Sequence, residues 1–266
     1  MLKNFIQSSI KNFLLKFRIG IYKGIPHAKI LSLIKKLKPH DLGYDLIRVG
    51  SKHDGGYLIP NVLSKVDFCI SPGVDKTISF EKQLKDKFLI KSFLIDHTVD
   101  PEEEFLKEFD FTKKKLGIIS TTSEITLEDF YNSKIKNNSE NGILQIDIEG
   151  DEYKVLISTP DQILKKFKVI IVEFHDLDRI SNKFNFSIIE SLLDKILLNF
   201  EVSHIHPNNV SKNISFSKNI VMPEILEVTF LRKDLILKKE TITKLPHKLD
   251  SKNVPTKQDI FLKGFF

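Results

Sequence analysis

From residue 66 onward, short apolar runs alternate with stretches of helical spacing. The runs VDFCIS (66–71), FLIKSFLID (88–96), KKLGIIS (114–120) and GILQIDIE (142–149) predict strands. KVIIVEFH (168–175), EVSHIHP (201–207) and EILEVTFLR (224–232) predict three more. Between them, KTISFEKQLKDK (76–87), DPEEEFLKEF (100–109), TLEDFYNSKI (126–135), a segment from about Asp151 and another near 184–199 have the apolar spacing of helices. The helix at 100 opens with Asp100, Pro101 and three glutamates, acids and a proline where the first turn favours them. Near-continuous apolar strands alternating with helices predict an α/β fold: a mostly parallel seven-stranded sheet covered on both faces, a three-layer sandwich.

The ends of the chain read differently. Leu2, Phe5, Ile6, Ile10, Phe13, Leu14 and Phe17 recur at helical spacing among lysines, and Ile30, Leu33, Ile34 and Leu37 form a second stripe. These predict a helical N-terminal cap over 1–43, a main domain over 44–240 and a polar, loop-like tail over 241–266. The basic amphipathic helix is expected to dock on the domain or on a second copy in a homo-oligomer. The alternative is peripheral contact with an anionic membrane. No stretch reaches the length of a membrane-spanning helix, so no transmembrane segment is expected. Lys11 and Lys16 interrupt the apolar stretch and no small-residue cleavage site follows, so a signal peptide is not expected.

Composition narrows the partners. The chain has 266 residues, 41% hydrophobic, with a formal net charge of +6. That charge mildly favours anionic substrates or surfaces. Basic residues do not cluster with aromatics in any stacking platform, so nucleic acid is not expected as a partner. The single cysteine, Cys69, excludes an internal disulfide and a cysteine zinc site, and fits a reducing, cytoplasmic compartment. It stands in an apolar run and is expected in the core.

Candidate chemistry gathers at the carboxyl ends of the predicted strands, where parallel sheets bind ligands. Gly73 follows the first strand and Asp96 the second, at the spacing of a glycine turn and a ribose-binding acid. The burst DIEGDE (147–152) ends the fourth strand, Glu173 and His175 end the fifth, and HPNN (206–209) follows the sixth. Asp151 and Glu152 read equally as a helix cap. Asp147, Glu173 and His175 are predicted to meet as a reacting centre around a divalent metal (Mn, Fe, Zn or, less suited to imidazole, Mg), the alternative being His175 or Asp147 acting directly as the base. His206 is a further ligand or the base. His40, His204 and His247 are read as structural.

The segments SKHDGGYLIP (51–60), SPGVDKTISFE (71–81), FLIDHT (93–98), LQIDIEGDEYKVL (144–156), IVEFH (171–175) and HPNN...PEILEVTF (206–230) occur in that order. Together they resemble FkbM-type S-adenosylmethionine-dependent methyltransferases over about residues 44 to 232. The resemblance implies a class I, Rossmann-like fold whose last strand runs antiparallel. It also implies O-methylation of a hydroxyl on a sugar or sugar nucleotide, in surface polysaccharide biosynthesis. Carried over, Gly73 with Ser71 and Asp75 approaches the methionine part of S-adenosylmethionine. Asp96 holds the ribose, and Asp54, Gly55 and Gly56 line the same pocket. This sequence departs from the pattern in its glycine-poor turn and in His97, where relatives often have proline. The rival readings are an RNA methyltransferase and a non-catalytic scaffold that keeps the fold.

Overall fold

Phe68, Ile70, Leu144, Ile146, Ile170 and Val172 belong to one buried cluster, while Cys69, Ile143, Val169 and Ile171 between them belong to another. A period of two is what a strand imposes on its side chains, so one sheet separates two cores. The structure, a computed structural model, describes residue 13, residues 24–74 and residues 78–265. The stripe predicted from Leu2 to Phe17, apart from Phe13, lies outside the described residues, as does Asp75.

The first strands are β1 (His40–Asp41), β2 (Leu46–Gly50), β3 (Gly56–Pro60), β4 (Phe68–Pro72), β5 (Lys91–Ile95), β6 (Asp110–Thr112), β7 (Lys115–Gly117) and β8 (Glu124–Thr126). The rest are β9 (Gly142–Ile146), β10 (Phe167–Phe174), β11 (Phe200–Pro207), β12 (Asn213–Ser217), β13 (Ile220–Pro223), β14 (Leu226–Arg232) and β15 (Glu240–Thr241). Seven of them form the central sheet in the order β11-β14-β10-β9-β4-β5-β6. β14 runs antiparallel to both neighbours and the other pairs are parallel. This is the Rossmann-like arrangement, with its last strand antiparallel, that the resemblance implied. The order reverses beside β4, which opens a crevice above the ends of β4 and β9.

Helices cover both faces. They are α1 (His27–Lys36), α2 (Ser79–Phe88), α3 (Glu103–Glu108), α4 (Leu127–Lys134), α5 (Glu152–Ser158), α6 (Asp161–Leu164) and α7 (Lys183–Asn199). Thr126 caps α4 by accepting the Asp129 N–H, and Asn182 caps α7 by accepting the N–H groups of Phe184 and Asn185. Ile30, Leu33 and Ile34 of α1 join the larger core with the apolar face of α7, so the second N-terminal stripe is buried. On the other face the β2–β3 hairpin and α2 cover the core around Cys69. Cys69 is fully buried, and burial pushes its thiol pKa well up. Among the described residues no helix is long and apolar enough to cross a membrane.

One strand lies elsewhere than its hydrophobicity predicts. The third parallel strand is Asp110–Thr112, not the run at 114–120. Lys115–Gly117 instead pairs with Glu124–Thr126 in a small separate ribbon. Ile118 and Ile119, which gave the run its apolar signal, are 49% and 60% exposed. The true strand is a three-residue, half-buried sheet edge and carries almost no hydrophobic signature.

The tail is mostly without regular structure, yet it is held. Phe265 is buried in the larger core, Ile260 is buried, and Val221 forms a bridge with Lys263.

Candidate functional site

The core face around Cys69 changes character toward the carboxyl ends of the strands. Along β4 the row runs Cys69 then Ser71, and along β9 Ile143 then Gln145 and Asp147. Along β10 it runs Ile171 then Glu173 and His175, and along β14, read backwards, Leu231 then Thr229 and Glu227. β11 carries a register shift between Val202 and His204. The shift leaves Val202 and Ile205 in the larger apolar core and lets His204 and His206 meet polar partners. One face of one sheet is therefore apolar below and polar above.

The polar layer is hydrogen-bonded. Ser71 donates within a buried group containing Glu81 and Gln145, and the Gln145 amide donates to the Tyr57 hydroxyl at 3.1 Å. Burial raises the Glu81 pKa. Glu173 accepts from the Asn208 amide at 2.8 Å. Burial first, then the nearby Asp147 and Glu227 carboxylates, push the Glu173 pKa well above the usual range.

At the rim, Asp147 and His175 come together. His175 Nε2 lies 3.6 Å from Asp147 Oδ1 and 3.6 Å from Glu149 Oε2. Ligand atoms of these three residues lie within 4.8 Å of one another. Glu173 does not join them, since it faces Asn208, and Glu149 takes its place in the set. Behind the imidazole stands Glu152, fully buried. It accepts the His175 N–H at 2.8 Å and the Gly150 N–H at 2.8 Å, and its Oε1 is 3.4 Å from His175 Nδ1. Burial alone would lower the His175 pKa, but Glu152, Asp147 and Glu149 outweigh it and lift it to about 9. Burial raises Asp147 to about 7, against the opposing pull of His175. Asp147 Oδ1 is buried with no hydrogen-bond partner. The backbone is strained here: Glu149 and Asp176 adopt φ of 55° and 57°, a region that costs non-glycine residues energy and that recurs at functional sites.

The acidic burst thus divides its labour. Asp151 makes no side-chain cap bond; its carboxylate pairs with Lys115 at 2.8 Å and Lys154 at 2.7 Å on the surface. Glu152, read from the sequence as part of a helix cap, is the internal strut of the centre. A glutamate directly after Gly-Asp at a helix start carries no signal that distinguishes the two roles.

A cleft of about 430 Å³ runs beside this rim, lined by Gly73, Asp96, His97, Lys115, Asp147 and Glu149 among others. Asp96 Oδ1 accepts the backbone N–H and the hydroxyl of Thr98, each at 2.6 Å. Its Oδ2 has no hydrogen bond among the described residues, which leaves it for a ligand hydroxyl. A hollow of about 70 Å³ adjoins the cleft, shares Gly73, Val74 and Asp147 with it, and adds Asp54, Gly55 and Tyr57. Gly73 has φ +79°, and a Cβ there would stand 1.4 Å from the Asp147 carbonyl oxygen. It is therefore the point where the β4 and β9 ends pack together, as well as a wall of both spaces. Two expected cofactor residues sit behind the walls. Ser71 is one layer below, and Gly56 serves the β2–β3 ladder, where a Cβ would strike the Ser51 carbonyl at 2.0 Å.

His206 stands in a second cluster instead of joining Asp147. Its Nε2 donates to Asn253 Oδ1 at 3.1 Å, and its Nδ1 is 3.5 Å from Asp250 Oδ1. Asp250 also pairs with His204 at 2.9 Å. Burial works against the His206 charge, but Asp250 and Glu227 raise its pKa to about 9. Burial likewise opposes ionisation of Asp250, but His204 and His206 hold its carboxyl far below the usual range. Asp250 and Asn253 come from the tail, whose polar composition gives no sign that it returns to the sheet.

No curated protein matches the chain. A family profile described as the methyltransferase FkbM domain matches residues 48–202, more than half of its length. The matched span runs from the β2–β3 hairpin to β11 and includes Asp54, Gly73, Asp96, Asp147 and His175. Methyltransferases of this kind use S-adenosylmethionine, whose sulfonium and ammonium are cationic. Among the described residues the hollow offers Asp54 and Asp147 and no basic side chain, and the cleft offers an Asp96 oxygen with no hydrogen bond, so these residues fit that molecule. On the fold, the site and this match, the chain belongs to the FkbM methyltransferase family.

Proposed function

We propose that the protein is an S-adenosylmethionine-dependent O-methyltransferase whose acceptor is a sugar hydroxyl. One observation carries the reading: a carboxylate with a pKa near 7, Asp147, faces a charged imidazole, His175, at the mouth of a cleft that suits the methyl donor. An alcohol is a poor nucleophile until its proton is taken, and a base works best with a pKa close to the working pH. In this reading Asp147 accepts the hydroxyl proton as the acceptor oxygen takes the methyl group from the sulfonium. The C–S bond breaks, leaving a neutral thioether and a methyl ether. His175, held by Glu152, supplies positive charge beside the oxygen as negative charge develops there. The carboxylates of the rim disfavour a polyanion, which supports a sugar over RNA despite the net charge of +6.

A second reading, favoured by the buried Asp147 Oδ1, which has no hydrogen-bond partner among the described residues, places a divalent cation among Asp147, Glu149 and His175. Such a cation would lower the pKa of a hydroxyl bound to it.

The test is transfer of labelled methyl from S-adenosylmethionine to a panel of hexosides and nucleotide sugars, with and without EDTA. Label in an acid-stable ether supports the function. Asp147→Ala should then lower the rate about 10²–10⁴-fold, the range for a lost acid–base group. Full activity after EDTA removes the cation. Binding of S-adenosylhomocysteine without transfer to any hydroxyl would favour the scaffold reading.

A further inference from the structure

The tail crosses the rim at one buried residue. Asn253 is buried and its side chain is nearly saturated. Its amide nitrogen donates to Glu227 Oε1 at 2.7 Å and to Asp54 Oδ1 at 3.1 Å, and its oxygen accepts from His206 Nε2 at 3.1 Å. The residue beside it also holds the loop that bears Asp54, since the Lys252 carbonyl lies 3.0 Å from His53 Nδ1. Asp54 is exposed, lines the hollow with Gly73 and Asp147, and without Asn253 its carboxylate would have no other side-chain donor among the described residues.

We propose that Asn253 is a positioning residue for the methyl-donor site: the tail carries it across the sheet to hold the Asp54 carboxylate at the wall of the hollow. The inference rests on the methyltransferase reading of that hollow. The anchors on either side make the geometry durable. Asp250 is clamped by His204, the Val254 N–H is accepted by Asn209 at 2.8 Å, and Phe265 is buried in the core. Asn253 is thereby presented on a segment fixed at both ends and not on a free strand of coil. An amide suits the task because it supplies two donors to two carboxylates, which an aspartate or alanine in its place cannot do.

The test is a double-mutant cycle read by calorimetry with S-adenosylhomocysteine. Asn253→Ala should weaken binding about tenfold, the scale of a hydrogen bond to a charged group. On an Asp54→Ala background the same change should have no further effect, because the two act through one carboxylate. By linkage, saturating S-adenosylhomocysteine should slow amide exchange across 250–254 in the wild-type protein and not in Asp54→Ala, a difference a purely structural tail would not give. Normal affinity of Asn253→Ala overturns the proposal, and so do independent, multiplying losses in the cycle. Should Asn253→Ala fail to fold, unchanged wild-type exchange at 250–254 in saturating S-adenosylhomocysteine overturns it. Failure of the wild-type protein itself to bind S-adenosylhomocysteine overturns the methyltransferase reading, and this inference with it.

Discussion

Glu152 and His175 are joined through the backbone: the buried carboxylate at the start of α5 accepts the His175 N–H at 2.8 Å, beyond the end of β10. Its second oxygen holds Gly150, so one side chain ties together the two loops that carry Asp147 and His175.

Removing that tie should be costly, and removing its neighbour should not. Glu152→Ala leaves the buried His175 N–H without a partner, a loss of about 1–3 kcal/mol in urea unfolding. Asp151→Ala breaks only surface ion pairs and should change stability by about 1 kcal/mol or less. Equal losses in the two variants would mean that the whole acidic burst is only a helix start.

Asp96→Ala should weaken S-adenosylhomocysteine binding by at least about tenfold, as expected when a charged acceptor of hydroxyl hydrogen bonds is lost. Its far-ultraviolet circular dichroism should match wild type, since among the described residues the Asp96 side chain bonds only its own turn at Thr98. Unchanged affinity by calorimetry would show that the ribose is held elsewhere.

Gly73→Ala tests packing before it tests binding. The added carbon meets the Asp147 carbonyl, backbone that cannot swing aside, and the positive φ adds strain. We expect a loss of about 1–3 kcal/mol, the usual cost of overpacking. Loss of ligand in this variant would therefore say nothing specific about the cofactor. Wild-type stability would show that the β4 and β9 ends do not meet as described.

The tail should loosen in alkali. The folded pKa of His206 is raised to about 9 from an unpaired value of about 6.5. Its pairing with Asp250 is complete below that lower value and is lost as pH climbs through 9. Asp250 is shifted the opposite way, so the same contact is also lost in acid, below the ordinary range of an aspartate. Limited proteolysis across 242–260 should be slowest near pH 5–6 and faster at pH 9.5. A rate that does not change between pH 6 and 9.5 would refute the pairing.

The strand rows were readable from the sequence because hydrophobicity and burial follow the same period of two. Asp147 and His175 stood out because each ends a run of apolar residues, where a side chain must leave the core. The edge strand at Asp110–Thr112 was hidden because an edge needs little apolar surface, while exposed Ile118 and Ile119 imitated a strand. Spacing along a strand does not show that Asn208 takes Glu173 or that a left-handed turn brings Glu149 to His175, so the side chains grouped at the rim differ by one from those the spacing suggests. Asn253 and Asp250 were invisible, since nothing local to a polar tail encodes the partners it meets 47 and 46 residues earlier.

Cys69 lies at the middle of the sheet, on β4, with both neighbouring strands in place and its thiol fully buried. A thiol reagent can reach it only when those strands part. The chain thus carries one natural reporter of sheet opening. The rate of its modification, measured with and without S-adenosylhomocysteine, reads out how strongly a ligand at the rim holds the centre of the molecule shut, with no label introduced.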